Sequence, residues 1–196
     1  MRVFLVRHGE TEKNRKKLLQ GRSNAPLNKE GISQAQEVRE YFQEQQVDFD
    51  LVFSSPLARA LQTAAIIVGR NHKILTDDRL LEMDYGPYEG SSLEHPSPEI
   101  VKFFSDFIHN PTPEGMESLQ HVTERMGQFM ESLRTAEADN VLVVTHAIAM
   151  KGALEYLTPG SNGAYWSKYI GTCAVYRTEY DGMGYCVPKA MPAGFQ

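Results

Sequence analysis

An arginine and a histidine lie side by side at Arg7 and His8, directly after the apolar run RVFLV of residues 2–6. A guanidinium next to an imidazole that can become charged is unfavourable unless an anion joins them. Arginine offers a planar fork of donors that matches phosphate oxygens, and a neutral imidazole can attack phosphorus. Gly9 permits a ligand to approach the backbone closely. The stretch therefore indicates phosphate chemistry, with a packed or surface histidine as the alternative.

A second histidine and a second arginine repeat the arrangement. His146 follows the apolar run NVLVV, and Arg59 falls in the first turn of a predicted helix. A cation in that turn is disfavoured by the helix dipole by about 0.3–1 kcal/mol, so an anion there would explain it. A capping histidine and a surface ion pair are the alternatives. Two histidines and two arginines would repel one another unless a polyanion such as phosphate joins them.

The carboxylate candidate is Glu82, in the glycine-containing stretch LLEMDYGPYEG. Asp84, Glu89 and Glu94 are alternatives, and reasoning from the residues does not choose among them. The chain has no H-E-x-x-H or similar close ligand pair, so we expect neither a metal nor another cofactor.

Alternating strand and helix patterns must position these residues. The predicted strands cover residues 2–6, 50–54, 73–76 and 140–145, with a closing hairpin from TCAVYRTEY to GYCVP. Five helices are predicted. The first starts near Asn28 and buries Ile32, Ala35, Val38 and Phe42, and the second has Ser55 as cap, Pro56 in its first turn and Gly69 as its end. A short helix near 99–108 is followed by one that buries Leu119, Val122, Met126, Phe129 and Leu133, and the last begins directly after His146.

This order predicts an α/β fold with three layers, a mostly parallel central sheet and helices on both faces. Ligands of such sheets bind beyond the carboxyl ends of the strands. Arg7, His8, Arg59 and His146 all fall at or just after predicted strand ends, so we expect them to line one crevice. Free N–H groups of the helix after His146 should point into the same crevice.

Length and composition bound the remaining possibilities. The 196 residues fit a single domain over 1–196, and a formal charge of −5 argues against a general nucleic-acid surface. No run of 18 apolar residues and no signal peptide is present, so we expect no membrane partner and a cytoplasmic protein, monomeric or homodimeric. Cys173 and Cys186 are expected to be small, buried or half-buried thiols.

Four blocks of sequence resemble, in order, the histidine phosphatase superfamily, in the branch of the cofactor-dependent phosphoglycerate mutases and fructose-2,6-bisphosphatase. They are RHGE at 7–10, SSPLARALQTA at 54–64, LLEMDYGPYEG at 80–90 and VVTHAIAM at 143–150. Asn14 and the segments 20–35 and 113–126 extend the resemblance over nearly the whole chain, and it implies a phosphoglycerate mutase-like fold.

The resemblance also implies roles for individual residues. His8 would attack phosphorus, while Arg7, Arg59 and His146 would hold the phosphoryl oxygens. Glu82, protonated when substrate binds, would protonate the leaving oxygen and then deprotonate water. Contacts to phosphate or substrate are implied for Asn14, Gln20, Gly21 and Ala147. Glu10 and Glu12 are interpreted as helix-start charges.

One departure concerns Ala147, where the family usually has glycine. Alanine keeps the N–H that would point at phosphate, but its methyl group would narrow the pocket and so affect substrate preference. Residues 91–116 are expected to form a lid or substrate-specificity segment, with core packing of its aromatic residues as the alternative. The remaining histidines, at positions 72, 95, 109 and 121, are expected at the surface or in the lid.

Within the family the short segment 91–114 and the short tail favour a phosphatase over a phosphoglycerate mutase, whose phosphoenzyme is shielded from water. A non-catalytic module that binds phosphorylated ligands is a further alternative. Binding phosphate does not require an acid for the leaving group, so the presence of Glu82 favours an enzyme.

Overall fold

The computed structural model describes residues 1–69 and 72–192. In this part of the chain the strands are β1 (Arg2–Arg7), β2 (Leu51–Ser54), β3 (Ile74–Thr76), β4 (Asn140–Thr145), β5 (Val175–Glu179) and β6 (Lys189–Ala190). They form one sheet in the order β3-β2-β4-β1-β5-β6. The first four pair in parallel, whereas β5 runs antiparallel to β1 and β6 antiparallel to β5. The predicted mostly parallel sheet is confirmed. The predicted closing hairpin is wrong in its second strand: GYCVP contributes an isolated bridge from Tyr185 to Tyr180, and the strand that pairs with β5 is Lys189–Ala190.

The helices cover both faces of this sheet. They are α1 (Glu12–Arg15), α2 (Lys29–Glu44), α3 (Ala58–Val68), α4 (Pro98–Ser105), α5 (Leu119–Ser132) and α6 (Ala147–Leu157). Short 3-10 turns lie at Asp78–Leu80, Gly86–Tyr88, Leu133–Thr135 and Pro159–Ser161.

Alternate side chains of β1 face two separate cores. Phe4 and Val6 pack with residues of α2 and α3 in one core. Val3 and Leu5 pack with residues of α4, α5 and α6 in the other. A parallel strand that is covered on both faces is apolar at its buried positions, which explains the unbroken run VFLV of residues 3–6. The three-layer prediction is confirmed.

Local signals explain where several helices begin and end. The Asn28 side chain accepts a hydrogen bond from Gly31 N at 2.8 Å and caps α2, as predicted. Gly69 ends α3 in a left-handed conformation with φ of 77°, also as predicted. The predicted buried face of α2 is wrong at Ile32, which is 42% exposed. Gln34 lies at the inner face instead, where its side chain accepts a hydrogen bond from Glu10 N.

The predicted start of α3 is wrong. The helix begins at Ala58, and its N-cap residue, Leu57, has no side chain that can cap it. Pro56 therefore precedes the helix and does not lie in its first turn. The Ser55 hydroxyl lies 2.8 Å from His146 Nε2, so a tertiary contact engages this hydroxyl.

The structure also locates the thiols and the remaining histidines. Cys173 is buried, and burial raises its pKa to about 12. Cys186 is exposed, which corrects the prediction that both thiols are at least half buried. The four histidines outside the crevice are all exposed, at positions 72, 95, 109 and 121. Within residues 1–69 and 72–192, no helix has both the length and the apolar character needed to cross a bilayer.

Candidate active site

The predicted histidines and arginines meet at one edge of the sheet. Strands β1 and β4 are neighbours in register, with Arg7 paired to Thr145. His8 and His146 therefore leave the sheet side by side, and their ring centroids lie 5.1 Å apart. Arg59, in the first turn of α3, reaches both rings. Adjacent strand ends thus bring together residues that are up to 139 positions apart in the chain.

Arg59 connects the two imidazoles. Its Nε lies 3.2 Å from His8 Nε2 and 3.2 Å from His146 Nδ1. Its two terminal nitrogens each donate to a backbone carbonyl at 2.8 Å, one of Ser23 and one of Gly21. The side chain is fully buried. The loop that carries Gly21 and Ser23 thereby fixes the guanidinium against both histidines.

These contacts determine which ring nitrogen of each histidine carries the proton. His8 Nδ1 lies 2.7 Å from the carbonyl oxygen of Gly9, which can only accept, so Nδ1 carries the hydrogen. His8 Nε2 is then the unprotonated nitrogen, and its lone pair accepts a hydrogen bond from Arg59. His146 has the opposite arrangement, because Nδ1 accepts from Arg59 while Nε2 donates to the Ser55 hydroxyl. Both rings are held as neutral imidazoles.

Burial and neighbouring cations favour these neutral forms. Burial, followed by the charges of Arg59 and Arg7, lowers the pKa of His8 well below its usual value. Burial and Arg59 also hold the pKa of His146 well below its usual value. The pKa of Arg59 itself is lowered to about 10, mainly by burial. His8 Nε2 is consequently an unprotonated nitrogen surrounded by positive charge, which suits attack on an anionic phosphoryl group.

Among the described residues that line the pocket of His8, two side chains have a buried donor without a partner. Arg7 donates one terminal nitrogen to the Ile170 carbonyl at 2.6 Å, while its Nε has no acceptor. The Gln20 carbonyl oxygen accepts from the Thr11 hydroxyl at 2.7 Å, while its Nε2 has no acceptor. Arg7 and Gln20 both line the pocket described below. Buried donors are normally satisfied, so these two are available to the oxygens of a bound anion.

Glu82 lies at the N-terminus of α6 and contacts the backbone. Its carboxylate accepts from Met83 N at 2.9 Å, Ala149 N at 3.0 Å and Ile148 N at 3.2 Å. Of the N–H groups of α6 that are expected to point free into the crevice, those of Ile148 and Ala149 are therefore already engaged by Glu82. The side chain is only 4% exposed, yet it lines the pocket that contains His8.

The three alternative carboxylates do not line this pocket. Asp84 accepts from Gly86 N, and Glu94 forms an exposed ion pair with Lys17. Glu89 accepts from Gly21 N at 2.8 Å and pairs with Lys13. Among the four candidates, only Glu82 lines the pocket that His8 also lines.

The other predicted contact residues divide into two groups. Asn14 and Ala147 line the pocket. Asn14 also forms a capping box with Thr11 at the start of α1. Gly21 does not line the pocket, because its N–H donates to Glu89 and its carbonyl accepts from Arg59. Glu12 begins α1 as expected, whereas Glu10 precedes that helix and accepts from the Asn28 side chain.

The pocket has a volume of about 410 Å³ and extends from His8 to an apolar rim. Reasoning from the sequence missed several residues that build the site. Among them are Ser55 and Thr63, whose hydroxyls contact His146 Nε2 and Gly9 N, and Lys151 and Tyr169, which line the pocket wall. Only Lys151 had a visible signal, as a cation inside the largely apolar run AIAMKGALEYL. The others depend on tertiary contacts that carry no sequence pattern.

No three His, Cys, Asp or Glu side chains of the described residues lie together as a group that could hold a metal ion.

Comparison with known proteins identifies the family of the chain. The model of the histidine phosphatase superfamily (branch 1) matches residues 3–189, and the chain belongs to this superfamily. The uncharacterized phosphatase PhoE of Bacillus subtilis is 35% identical over 87% of this chain and 84% of its own length. The probable phosphoglycerate mutase GpmB of Proteus mirabilis is 32% identical over 92% of this chain and 85% of its own length.

A solved structure extends the likeness to the fold. Phosphoserine phosphatase from Entamoeba histolytica, in complex with 3-phosphoglyceric acid, superposes with a TM-score of 0.82 at 25% identity. The superposition covers 100% of this chain and 97% of the other. The chain is therefore a phosphoglycerate mutase-like phosphoric monoester hydrolase.

Proposed function

We propose that this enzyme hydrolyses small phosphomonoesters through a phosphohistidine formed on His8. The observation that carries this mechanism is the pair of 3.2 Å contacts from Arg59 Nε to His8 Nε2 and His146 Nδ1. Two neutral imidazoles share this guanidinium, and Arg7 lies beside it. The nucleophilic nitrogen of His8 is therefore next to concentrated positive charge. A phosphate dianion complements both.

In the first step His8 Nε2 attacks phosphorus, and the bond from phosphorus to the leaving oxygen breaks. Glu82 gives its proton to that oxygen. Arg7, Arg59, Gln20 and the imidazole of His146 stabilise the charge on the phosphoryl oxygens. The Gly9 carbonyl accepts a hydrogen bond from Nδ1–H of His8. This bond keeps the proton on Nδ1 and so keeps Nε2 directed at phosphorus.

In the second step a water attacks the phosphoryl group and Glu82 accepts its proton. The N–P bond breaks, the electron pair returns to His8 Nε2, and inorganic phosphate leaves. Each residue returns to its initial protonation state, so no metal or redox partner enters the balance. Asn14 and Ala147 contact the substrate, and the segment 91–116 determines specificity. Support for this role comes from Leu93, which lines the pocket together with four other residues of the segment: Pro96, Ile100, Val101 and Phe104.

The test measures release of phosphate from p-nitrophenyl phosphate in the presence of EDTA. Rapid quenching without acid traps the phosphoenzyme. We expect turnover, and a phosphoenzyme that is stable to alkali and labile to acid. His8→Ala should abolish both, whereas the exposed His95→Ala should leave both unchanged. Absence of turnover between pH 5 and 8 would refute the proposal that the protein is a hydrolase. Activity in His8→Ala would refute the assignment of His8 as the nucleophile.

The similarity to GpmB makes phosphoglycerate mutase the second candidate. Incubation with 3-phosphoglycerate separates the two, because a mutase isomerises it faster than it releases phosphate. We further propose a cytoplasmic enzyme that acts as a monomer or homodimer. Its two free thiols, Cys173 and Cys186, fit a reducing compartment.

A further inference from the structure

A lysine in the wall of the pocket has no part in the phosphoryl-transfer steps. Lys151 lies on α6, five residues after His146, and is 9% exposed. Its ammonium donates to the Trp166 carbonyl at 2.7 Å and lies 5.3 Å from the centre of the Phe107 ring. An ammonium has three donors, and burial of a charge with so few partners is costly.

The obvious partner on the same helix is engaged elsewhere. Glu155 lies four residues after Lys151, a spacing that usually gives a surface ion pair. Its carboxylate instead accepts from Gly163 N at 3.1 Å and Tyr165 N at 2.6 Å. Among the described residues, no ion pair includes Lys151. The lysine therefore brings to the pocket a positive charge that no described carboxylate contacts directly, although the more distant charge of Glu82 acts on it.

The surroundings of Lys151 are mostly apolar. Leu93 and Val101, which line the same pocket, are 44% and 51% exposed. Phe104, Tyr169 and Ile170 complete this wall. Exposed apolar side chains around a cavity are typical of a binding site for an apolar ligand body. The axial rise from His146 to Lys151 is about 7.5 Å, at 1.5 Å per residue.

We propose that Lys151 is a specificity-determining residue that binds a second anionic group of the substrate. The enzyme then prefers phosphomonoesters with an apolar body, such as a ring, that carries a carboxylate a few bonds from the phosphate. This inference rests on the proposed function, which places the phosphate at His8. The apolar wall of the pocket contacts the apolar part of the substrate. The Lys151 ammonium binds the carboxylate at the end of the substrate that is far from the phosphate.

The test compares two matched probes, 4-carboxyphenyl phosphate and its neutral amide, 4-carbamoylphenyl phosphate, with the 3-substituted pair alongside. We expect the wild-type enzyme to favour the acid over the amide by about tenfold or more in kcat/KM, the size of a charge-assisted hydrogen bond. Lys151→Met should abolish this preference. Lys151→Gln keeps a donor for the Trp166 carbonyl but loses the charge, and should abolish it too.

The matched control is Lys168→Met. Lys168 is an exposed lysine that contacts aromatic rings and lies outside this pocket. It should keep the wild-type preference. Equal losses on acid and amide in Lys151→Met, with full recovery in Lys151→Gln, would show a purely structural lysine and overturn the proposal. A wild-type enzyme that hydrolyses both probes without preference would overturn it as well, while leaving the hydrolase intact.

Binding to His8→Ala, measured by calorimetry, separates this inference from the proposed function. Preference for the acid in binding, without turnover by the wild type, would support the Lys151 subsite and refute the hydrolase. A pH series adds a second readout. Burial lowers the pKa of Lys151 to about 8; the charge of Glu82 raises it and that of Arg7 lowers it. Because kcat/KM reports the free enzyme, the acid-to-amide ratio should fall between pH 7 and 9. A constant ratio in that range would contradict the proposal.

Discussion

At the scale of single residues, Arg59 accounts for most of the site's arrangement. Its Nε contacts both imidazoles, and its terminal nitrogens are fixed by the carbonyls of Gly21 and Ser23. Neutral imidazoles can accept from a buried cation, whereas imidazolium ions would be repelled. The guanidinium therefore keeps His8 Nε2 unprotonated. Within residues 1–69 and 72–192 no carboxylate forms an ion pair with Arg59. In the proposed mechanism a bound phosphate supplies the missing negative charge.

Glu82→Gln tests the assignment of the acid. The amide cannot protonate a leaving oxygen, so kcat for an alkyl phosphate such as glycerol 3-phosphate should fall by about 100-fold or more. Turnover of p-nitrophenyl phosphate should fall much less in its first step, because nitrophenolate leaves without a proton. Steady-state and burst kinetics on both substrates measure the difference.

The control for this variant is Glu94→Gln, which removes an exposed carboxylate outside the pocket and should change neither rate. An equal loss on both substrates in the burst phase would contradict the role of Glu82 as a general acid. Because Glu82 also accepts from Ile148 N and Ala149 N, a melting curve must show that α6 remains intact.

At the scale of elements, the loop after β1 is held against the start of α2 by two glycines. A Cβ atom on Gly31 would collide with the Glu10 backbone, and one on Gly9 would collide with the Gly31 backbone. The loop also carries the Gly9 carbonyl that orients His8. Close packing of this helix on this loop therefore supports His8, the proposed nucleophile.

We expect Gly31→Ala to lower the free energy of unfolding by about 1–3 kcal/mol, as overpacking typically does. The same change should lower kcat, since the loop must move away from α2 and take the Gly9 carbonyl with it. Urea unfolding and p-nitrophenyl phosphate kinetics measure the two effects. Gly160→Ala is the matched control, because its Cβ would meet nothing within 4 Å. If Gly31→Ala matched this control in both measurements, the proposed support of His8 would be wrong.

Local patterns predicted most of these elements. The apolar run of β1 and the Asn28 cap are properties of neighbouring residues, so sequence alone located them. Ser55 has the residue type of a cap, yet its hydroxyl binds His146, which is 91 residues away. Ile32 lies beside the buried face of α2. Which face of α2 is buried depends on its contacts with the loop at Glu10, which is also distant in sequence. These errors concern tertiary contacts, which no local pattern encodes.

The same distinction applies to the site. The positions of Arg7, His8, Arg59 and His146 at strand ends followed from fold class alone. The choice of Glu82 required the family resemblance, because four carboxylates occur within residues 82–94 and only packing separates them. The shared contacts of Arg59 and the burial of Lys151 required the structure.

At the scale of the whole molecule, the sheet separates two cores, and His8 and His146 lie at the edge where its central strands end. Both histidines are almost completely buried. Their ionisation is therefore coupled to folding, since unfolding transfers both rings from a buried site into water. Stability should respond to pH through the same residues to which we assign the chemistry.

Both histidines have folded-state pKa values well below the usual value of about 6.5, which they regain on unfolding. Below about pH 6.5 the unfolded state binds more protons, so stability that is present above this pH is lost as pH falls. Each histidine contributes a slope of up to about 1.4 kcal/mol per pH unit. Urea unfolding from pH 7.5 to 5.0 measures the slope for the wild type. We expect His146→Asn to reduce this slope by the contribution of about one proton. The exposed His95→Asn should leave the slope unchanged. Comparison of slopes cancels the carboxylates, which titrate in every variant. Identical slopes for wild type and His146→Asn would mean that His146 is already charged in the folded protein, and Arg59 could not then share its Nε hydrogen between the two rings.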